Sequence, residues 1–332
     1  GHIADPRAQR PLLGLLESSS QEVRLAALTA LGSVMDKRAA GPLVRLLDDR
    51  SRKIRLRAIR HLGQVGSHLA TPRLMRVARS TDRTLARAAV SALARSRDAR
   101  AAPVLVQLLS HRDRTLRRLA SQALARIHDP RSAEAILDLC RDALGGVRVT
   151  CLQALGGALR GRSHDGAFAL LEEVLTGKDR AAALAAVDAL AAMRDPRIPG
   201  MLVRSYPALD PQLRRPVIAI LGNIPDQADV VLPRLLSALK SDESPLRSAG
   251  AWSLGKLGHT GAVNALLTAA RDPEWPVRVN AAAALARLGR PEARATLRTL
   301  LSDPVSHVRA NAVLGLGRTG DARSIPTILQ LT

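Results

Sequence analysis

RTLRRLASQALARIHDPRSAEAILDLCR, the stretch from Arg114 to Arg141, decides the fold. Leu116, Ala120, Leu124 and Ile127 stand at offsets 0, 4, 8 and 11, which at about 100° per residue share one side of an α-helix. His128-Asp129-Pro130 ends that helix, because Asp caps a helix start and Pro suits its first turn. Ala133, Ile136, Leu137 and Cys140 then follow at i, i+3, i+4 and i+7, the apolar stripe of a second helix. The stretch therefore reads as helix–turn–helix.

The same phrase recurs ten times: an aliphatic anchor, usually Arg, an Ala-rich stretch, then Leu-Gly or Leu-Ala. The anchors are Val23, Ile54, Leu85, Leu116, Val147, Ala182, Leu213, Leu246, Val277 and Val308. Nine intervals separate them, seven of 31 residues and one each of 35 and 33. A period this regular means one supersecondary unit stacked on copies of itself, so the whole chain should hold about 21 helices in an α-solenoid. The expected divisions are a regular basic segment (1–155), an irregular Gly/Pro-rich middle (156–245) and a regular C-terminal segment (246–332). Pro216, three residues after an anchor, should bend or delay its helix, and the middle segment could act as a hinge. Both ends read as half units, which suggests a fragment of a longer protein with Gly1-His2 as a cloning remnant.

Composition narrows the class further. One Phe, one Tyr and two Trp occur in 332 residues, so small and aliphatic side chains must build the core. Nothing approaches the ~18 apolar residues of a membrane span, and no signal sequence opens the chain. A cytoplasmic location is the default expectation. Cys140 and Cys151 make no disulfide framework and read as small buried fillers.

The residue after the anchor is Arg in eight units: Arg24, Arg55, Arg117, Arg148, Arg214, Arg247, Arg278 and Arg309. In four units an Asp lies five before the anchor: Asp49, Asp142, Asp272 and Asp303. These two recurrences read as a structural Asp–Arg ladder between neighbouring units. With its Asp303-Pro304…Val308-Arg309…Leu316-Gly317 phrase, the chain resembles the short HEAT repeats of the phycobilisome-lyase type over nearly its full length. The resemblance implies an all-α fold, a right-handed α-α superhelix or HEAT-like solenoid of about ten helix-turn-helix repeats. It also implies that the Val-Arg helix lines the concave surface, with partner-binding positions at offsets −2, −1, +2, +3, +6 and +10. Helical angles independently place −1, +2, +6 and +10 opposite the apolar stripe.

Charge concentrates on those offsets. The formal net charge is +21, and residues 50–131 carry 20 Lys or Arg against four acids, a net of +16. The second to fourth units place Arg52, Lys53, Arg57, Arg60, Arg83, Arg87, Arg95, Arg114, Arg118 and Arg126 there. The fifth places Gly145, Gly146, Val149, Thr150, Gln153 and Gly157 there, and the stripe stops. A solvated face of an Arg-rich protein would look the same, since 45 of the 50 basic residues are Arg. The functional reading is a cationic groove for phosphate, carboxylate or an acidic protein segment. Trp252 and Trp275, at offsets +6 and −2 of later units, form a second candidate anchor with Lys256, Asn280 and Arg287 around them.

No His-Glu-x-x-His phrase, phosphate-binding Gly-x-x-x-x-Gly-Lys loop or Gly-x-Ser-x-Gly elbow occurs. The His-Glu pairs on which iron-binding hydroxylases of similar repeats depend are absent, and Asp188 is the only acid at a central offset. The expectation is a non-enzymatic scaffold without cofactor or metal that captures an acidic protein or other polyanion. One alternative is a nucleic-acid phosphate-backbone binder, since base-stacking aromatics are missing from the basic units. The other is an accessory subunit of a bilin lyase, which the resemblance invites. Charge reversal at Arg57, Arg87 and Arg118 should then abolish capture with little change in stability.

Overall fold

The computed structural model describes residues 6–32 and 36–330; Gly1, His2, Asp5 and Leu331 lie outside the described residues. Among those described are 21 α-helices and no strand. Ten of them carry the anchors: α2 (Gln21–Leu31), α4 (Arg52–Val65), α6 (Arg83–Ser96), α8 (Arg114–Ile127), α10 (Gly145–Ala158), α12 (Arg180–Ala192), α14 (Pro211–Leu221), α16 (Ser244–Leu257), α18 (Trp275–Leu288) and α20 (Ser306–Thr319). The intervening helices are α1 (Gln9–Leu15), α3 (Ala40–Arg45), α5 (Thr71–Ala78), α7 (Ala102–Leu108), α9 (Ala133–Asp142), α11 (Asp165–Leu175), α13 (Ile198–Ser205), α15 (Ala228–Ala238), α17 (Val263–Ala269), α19 (Arg294–Thr299) and α21 (Ile325–Leu329). None is long and apolar enough to cross a membrane. Helix α14 runs through Pro216 without interruption.

Turn chemistry explains the break between helices. The residue at offset +12 is left-handed in six units: Gly66, Gly258, Gly289 and Gly320, but also Arg97 and His128, each at φ +53°. At offset +13 a side chain caps the next turn: Asp36, Ser67, Asp98, Asp129 and His259 each accept from the backbone N–H two residues on. A left-handed residue followed by a capping side chain stops one helix and starts the next.

Two compact units divide the chain. The first holds the described residues up to Val174 together with Leu184–Arg194, and the second holds Leu175–Ala183 with those from Asp195 on. Within the first, α2, α4, α6, α8 and α10 lie side by side in sequence order. Within the second, α14, α16, α18 and α20 do the same. Most shorter helices pack chiefly on the anchor helix that follows them, as α5 does on α6, α7 on α8, α9 on α10 and α17 on α18, whereas α13 packs mainly on α15. The natural pair is thus offset by half a unit from the helix–turn–helix read off Arg114–Arg141.

The Leu-Gly/Ala phrase has a packing cause. Its Leu, at offset +8, is buried: Leu31, Leu62, Leu93, Leu124, Leu155, Leu254, Leu285 and Leu316 are at most 1% exposed. The residue after it lies against offset +7 of the next anchor helix. A Cβ on Gly63 would come 3.1 Å from Ala92 Cα, one on Gly156 2.5 Å from Ala189 Cα, and one on Gly255 2.8 Å from Ala284 Cα. Small residues at both offsets let neighbouring anchor helices approach closely, which is how so few aromatics suffice.

Cys140 and Cys151 are fully buried and free, and their thiols act on each other across the α9–α10 contact. Contact with Cys151, together with burial, pushes the Cys140 thiol well up, consistent with a packing role. Leu116, Ala120, Leu124, Ala133, Ile136 and Leu137 are buried as their periodicity predicts, while Ile127, next to the left-handed residue, is half-buried.

Candidate functional site

The ladder holds at three of its four expected acids. Arg24 forks onto Asp49 at 2.8 and 3.3 Å, Arg247 onto Asp272 at 2.7 and 3.0 Å, and Arg278 onto Asp303 at 2.7 and 3.1 Å. Each Arg also donates to two carbonyls of its own preceding turn, as Arg278 does to Asp272 and Pro273. Asp142 departs from the pattern: it is exposed at the end of α9 and takes no ion pair among the described residues. Eight of the ten anchors are buried, Val23 and Val147 being the exceptions, and most ladder arginines are fixed at the turns, which leaves the remaining face of the anchor helices open.

That face carries the basic residues singled out by sequence. Arg52, Lys53, Arg60, Arg83, Arg95, Arg114, Arg118 and Arg126 are exposed, and Arg57 and Arg87 are half-buried. Between α4 and α6 runs a cleft of about 490 Å³ lined by both helices. Arg60, Arg87 and Arg95 converge on it, together with Gln64, Thr84 and Ser91. Leu56, Ile59, Gly63, Ala88 and Ala92 make its apolar floor, and no acid lines it. The absence of a Cβ at Gly63 gives α6 its close approach and lets the Arg95 stem lie across α4. One helix further on, Arg118 and Arg126 occupy the offsets of Arg87 and Arg95.

The stripe is not uniformly available. Arg52 pairs with Asp82 at 2.5 Å and Arg87 with Asp113 at 2.7 Å. Both acids cap the starts of α6 and α8 through backbone N–H groups. The Arg52 hydrogen bond, against the opposing effect of burial and helped by the Leu85 and Thr84 N–H groups, holds the Asp82 carboxyl down at about 2. Arg57 donates to the Thr29 hydroxyl on α2. No hydrogen bond or ion pair among the described residues engages the side chains of Lys53, Arg60, Arg83, Arg95, Arg114, Arg118 or Arg126.

The sequence matches the family of HEAT repeats over residues 9–94, 72–156, 202–277 and 263–332. The chain belongs to the HEAT-repeat family. Its structure is similar to the karyopherin Kap121p, solved bound to the extreme C-terminus of the protein phosphatase Cdc14p. Identity there is 13%, coverage 99% of this chain and 43% of that one, and the TM-score 0.65. Kap95p, solved with RanGDP, gives 14% identity, 97% and 51% coverage, and a TM-score of 0.65. The HEAT chain thus spans 43% and 51% of those two karyopherins. Human deoxyhypusine hydroxylase aligns at 21% identity over 87% of this chain and 99% of its own, but with a TM-score of 0.34, too low to carry an argument. No curated protein matches the chain in sequence.

The second sequence candidate is less coherent within its HEAT repeats. Trp275 is 53% exposed at the start of α18. Trp252 is half-buried on α16, with the Lys256 ammonium 5.2 Å from its ring centre. Eight positions of offset separate the two indoles along neighbouring helices, about 12 Å at 1.5 Å per residue. Asn280 does not line a shared patch; it donates to the Ser248 carbonyl and hydroxyl, tying α18 to α16. Asn311 makes the same tie to Val279. Offset +3 is therefore an inter-repeat position as much as an outward one, and Gly157 at +10 is buried against Ala125. Arg287 is exposed, and Asp188 stands on α12 with its carboxyl raised by partial burial. Among the described residues no three His, Cys, Asp or Glu side chains gather as a metal centre requires.

Sequence reasoning missed Gln64, Thr84 and Ser91, although all three sit at the offsets it had singled out. It also missed that Asp82 and Asp113, three before their anchors, neutralise part of the stripe. Their capping position was the available signal.

Proposed function

We propose that this HEAT-repeat protein is a non-enzymatic scaffold that captures an acidic protein segment on the open face of α4, α6 and α8. The observation that carries this reading is the cleft between α4 and α6, where Arg60 and Arg95 stand without an ion pair beside the Asp113-bound Arg87 and no carboxylate lines the cleft. Guanidinium forks suit carboxylates, and clustering several on one face speeds and orients capture of a polyanion. The apolar floor favours a peptide over a bare phosphate backbone, because it can bury aliphatic side chains beside the acidic ones. HEAT-repeat stacks serve as binding scaffolds, and the two karyopherins above were solved with protein partners.

Hydrogen–deuterium exchange with a labelled Glu-rich peptide tests the location. Protection should concentrate on α4, α6 and α8. Protection confined to α16–α20, or absent at saturating peptide, would contradict the assignment.

A further inference from the structure

Arg214 differs from the other ladder arginines. Arg24, Arg247 and Arg278 hold an Asp, Arg55, Arg117 and Arg309 hold turn carbonyls, and Arg148 lies 3.7 Å from Glu173. Arg214 has neither kind of partner among the described residues. The slot five before the next anchor, Leu246, is Ser241 rather than Asp.

What lies beside it is a ring and a second cation. The Arg214 guanidinium carbon is 6.0 Å from the centre of the Tyr206 ring, and that of Arg234 is 4.6 Å from the same centre. Tyr206 is 8% exposed. Its hydroxyl and the Nε atoms of Arg214 and Arg234 are sealed from solvent without a hydrogen-bond partner. Glu243 acts on the Tyr206 hydroxyl through its charge but pairs with neither arginine. Two positive charges are thus held against one ring with no direct ion pair among the described residues, and their terminal nitrogens are left to donate. Contact with the ring, close for Arg234 and at the cation–π limit for Arg214, together with the burial of both Nε atoms restricts the side chains in advance, which lowers the cost of ordering them around a ligand.

We infer that Arg214 and Arg234, which share the Tyr206 ring, form an oxyanion site that takes a carboxylate or phosphoryl group from outside the chain. That group would do for Arg214 what Asp272 and Asp303 do for Arg247 and Arg278. The site lies in the second compact unit and does not depend on the function proposed for the α4–α6 cleft.

The chain's single tyrosine makes the test specific. Incorporating 3-fluorotyrosine into the full chain gives one ¹⁹F signal, at position 206. Inorganic phosphate and acetate are titrated separately, against chloride at matched ionic strength. A saturable shift with either anion, beyond that of chloride, is the expected result; which anion gives it identifies the source chemistry. In the Arg214→Gln/Arg234→Gln variant, apparent affinity should fall roughly tenfold or more, as for loss of charge-assisted hydrogen bonds. Arg60→Gln/Arg95→Gln should leave the titration unchanged. If neither anion shifts the signal beyond chloride, the site does not exist; that outcome needs no variant to fold. A saturable shift that survives in the double variant equally overturns the assignment.

Discussion

Arg278 on α18 grips Asp303, in the turn before α20, through two hydrogen bonds of 2.7 and 3.1 Å. The same guanidinium closes two carbonyls of its own turn, so one side chain fastens three pieces of chain. The pair is largely buried, with side chains 14% and 6% exposed. Arg278→Ala leaves Asp303 buried without its counter-charge and should destabilise by about 2–3 kcal/mol. Urea unfolding checks this. Binding of acidic ligands to the first compact unit should not change.

Acid should loosen the same ladder. Burial by itself would push Asp303 up, but the hydrogen bond and charge of Arg278, with the Val305 N–H and Arg309, bring it below its ordinary value. Asp82, held at about 2 chiefly by Arg52, behaves alike. A carboxylate depressed on folding contributes stability above its unfolded value of about 3.9 and loses it as pH falls through the folded one. Urea midpoints should therefore hold from pH 7 to about 5 and fall steeply between about pH 4 and 2. Asp303→Asn should flatten part of that fall; an unchanged profile in the variant would count against the ladder as its source.

Arg97 adopts φ +53° at the helix end where four other repeats have Gly. It is exposed, and nothing among the described residues holds its side chain. Arg97→Gly should relieve the left-handed cost and raise stability by about 1 kcal/mol. The comparison substitution, Gly289→Arg, should lower it by a similar amount. Thermal melts of both variants read the sign directly.

Much of this architecture was legible in the primary structure because each repeat states the same solution again. The anchors, the Leu-Gly phrase and the Arg–Asp ladder each recur at a fixed offset, and a recurring offset reports a recurring contact. The outward face was legible too, since helical angles alone place Lys53, Arg60 and Arg126 away from the core. Local pairing was not. That Asp113 neutralises Arg87, that Asn280 turns inward to Ser248, and that Arg214 meets Tyr206 all depend on which helix lies alongside. Periodicity within one helix carries no such information.

Those pairings change which charges are safe to remove. Arg87→Gln takes the counter-charge from Asp113, the cap of α8, and should lower the melting temperature by more than Arg60→Gln, Arg95→Gln or Arg118→Gln does. Arg57 is similarly engaged with Thr29. Arg60→Gln, Arg95→Gln and Arg118→Gln should leave the melting temperature within a degree or so, because nothing in the fold relies on them. A large drop for these three would mean that their side chains are packed.

Affinity for a fluorescent Glu-rich peptide, measured in wild type and in Arg60→Glu/Arg95→Glu/Arg118→Glu at low and moderate salt, tests the central claim most directly. Saturable wild-type binding that weakens steeply with salt, and a loss of roughly tenfold or more in a variant that melts normally, is the result predicted. Equal affinity in the two proteins, or binding indifferent to salt, would contradict it.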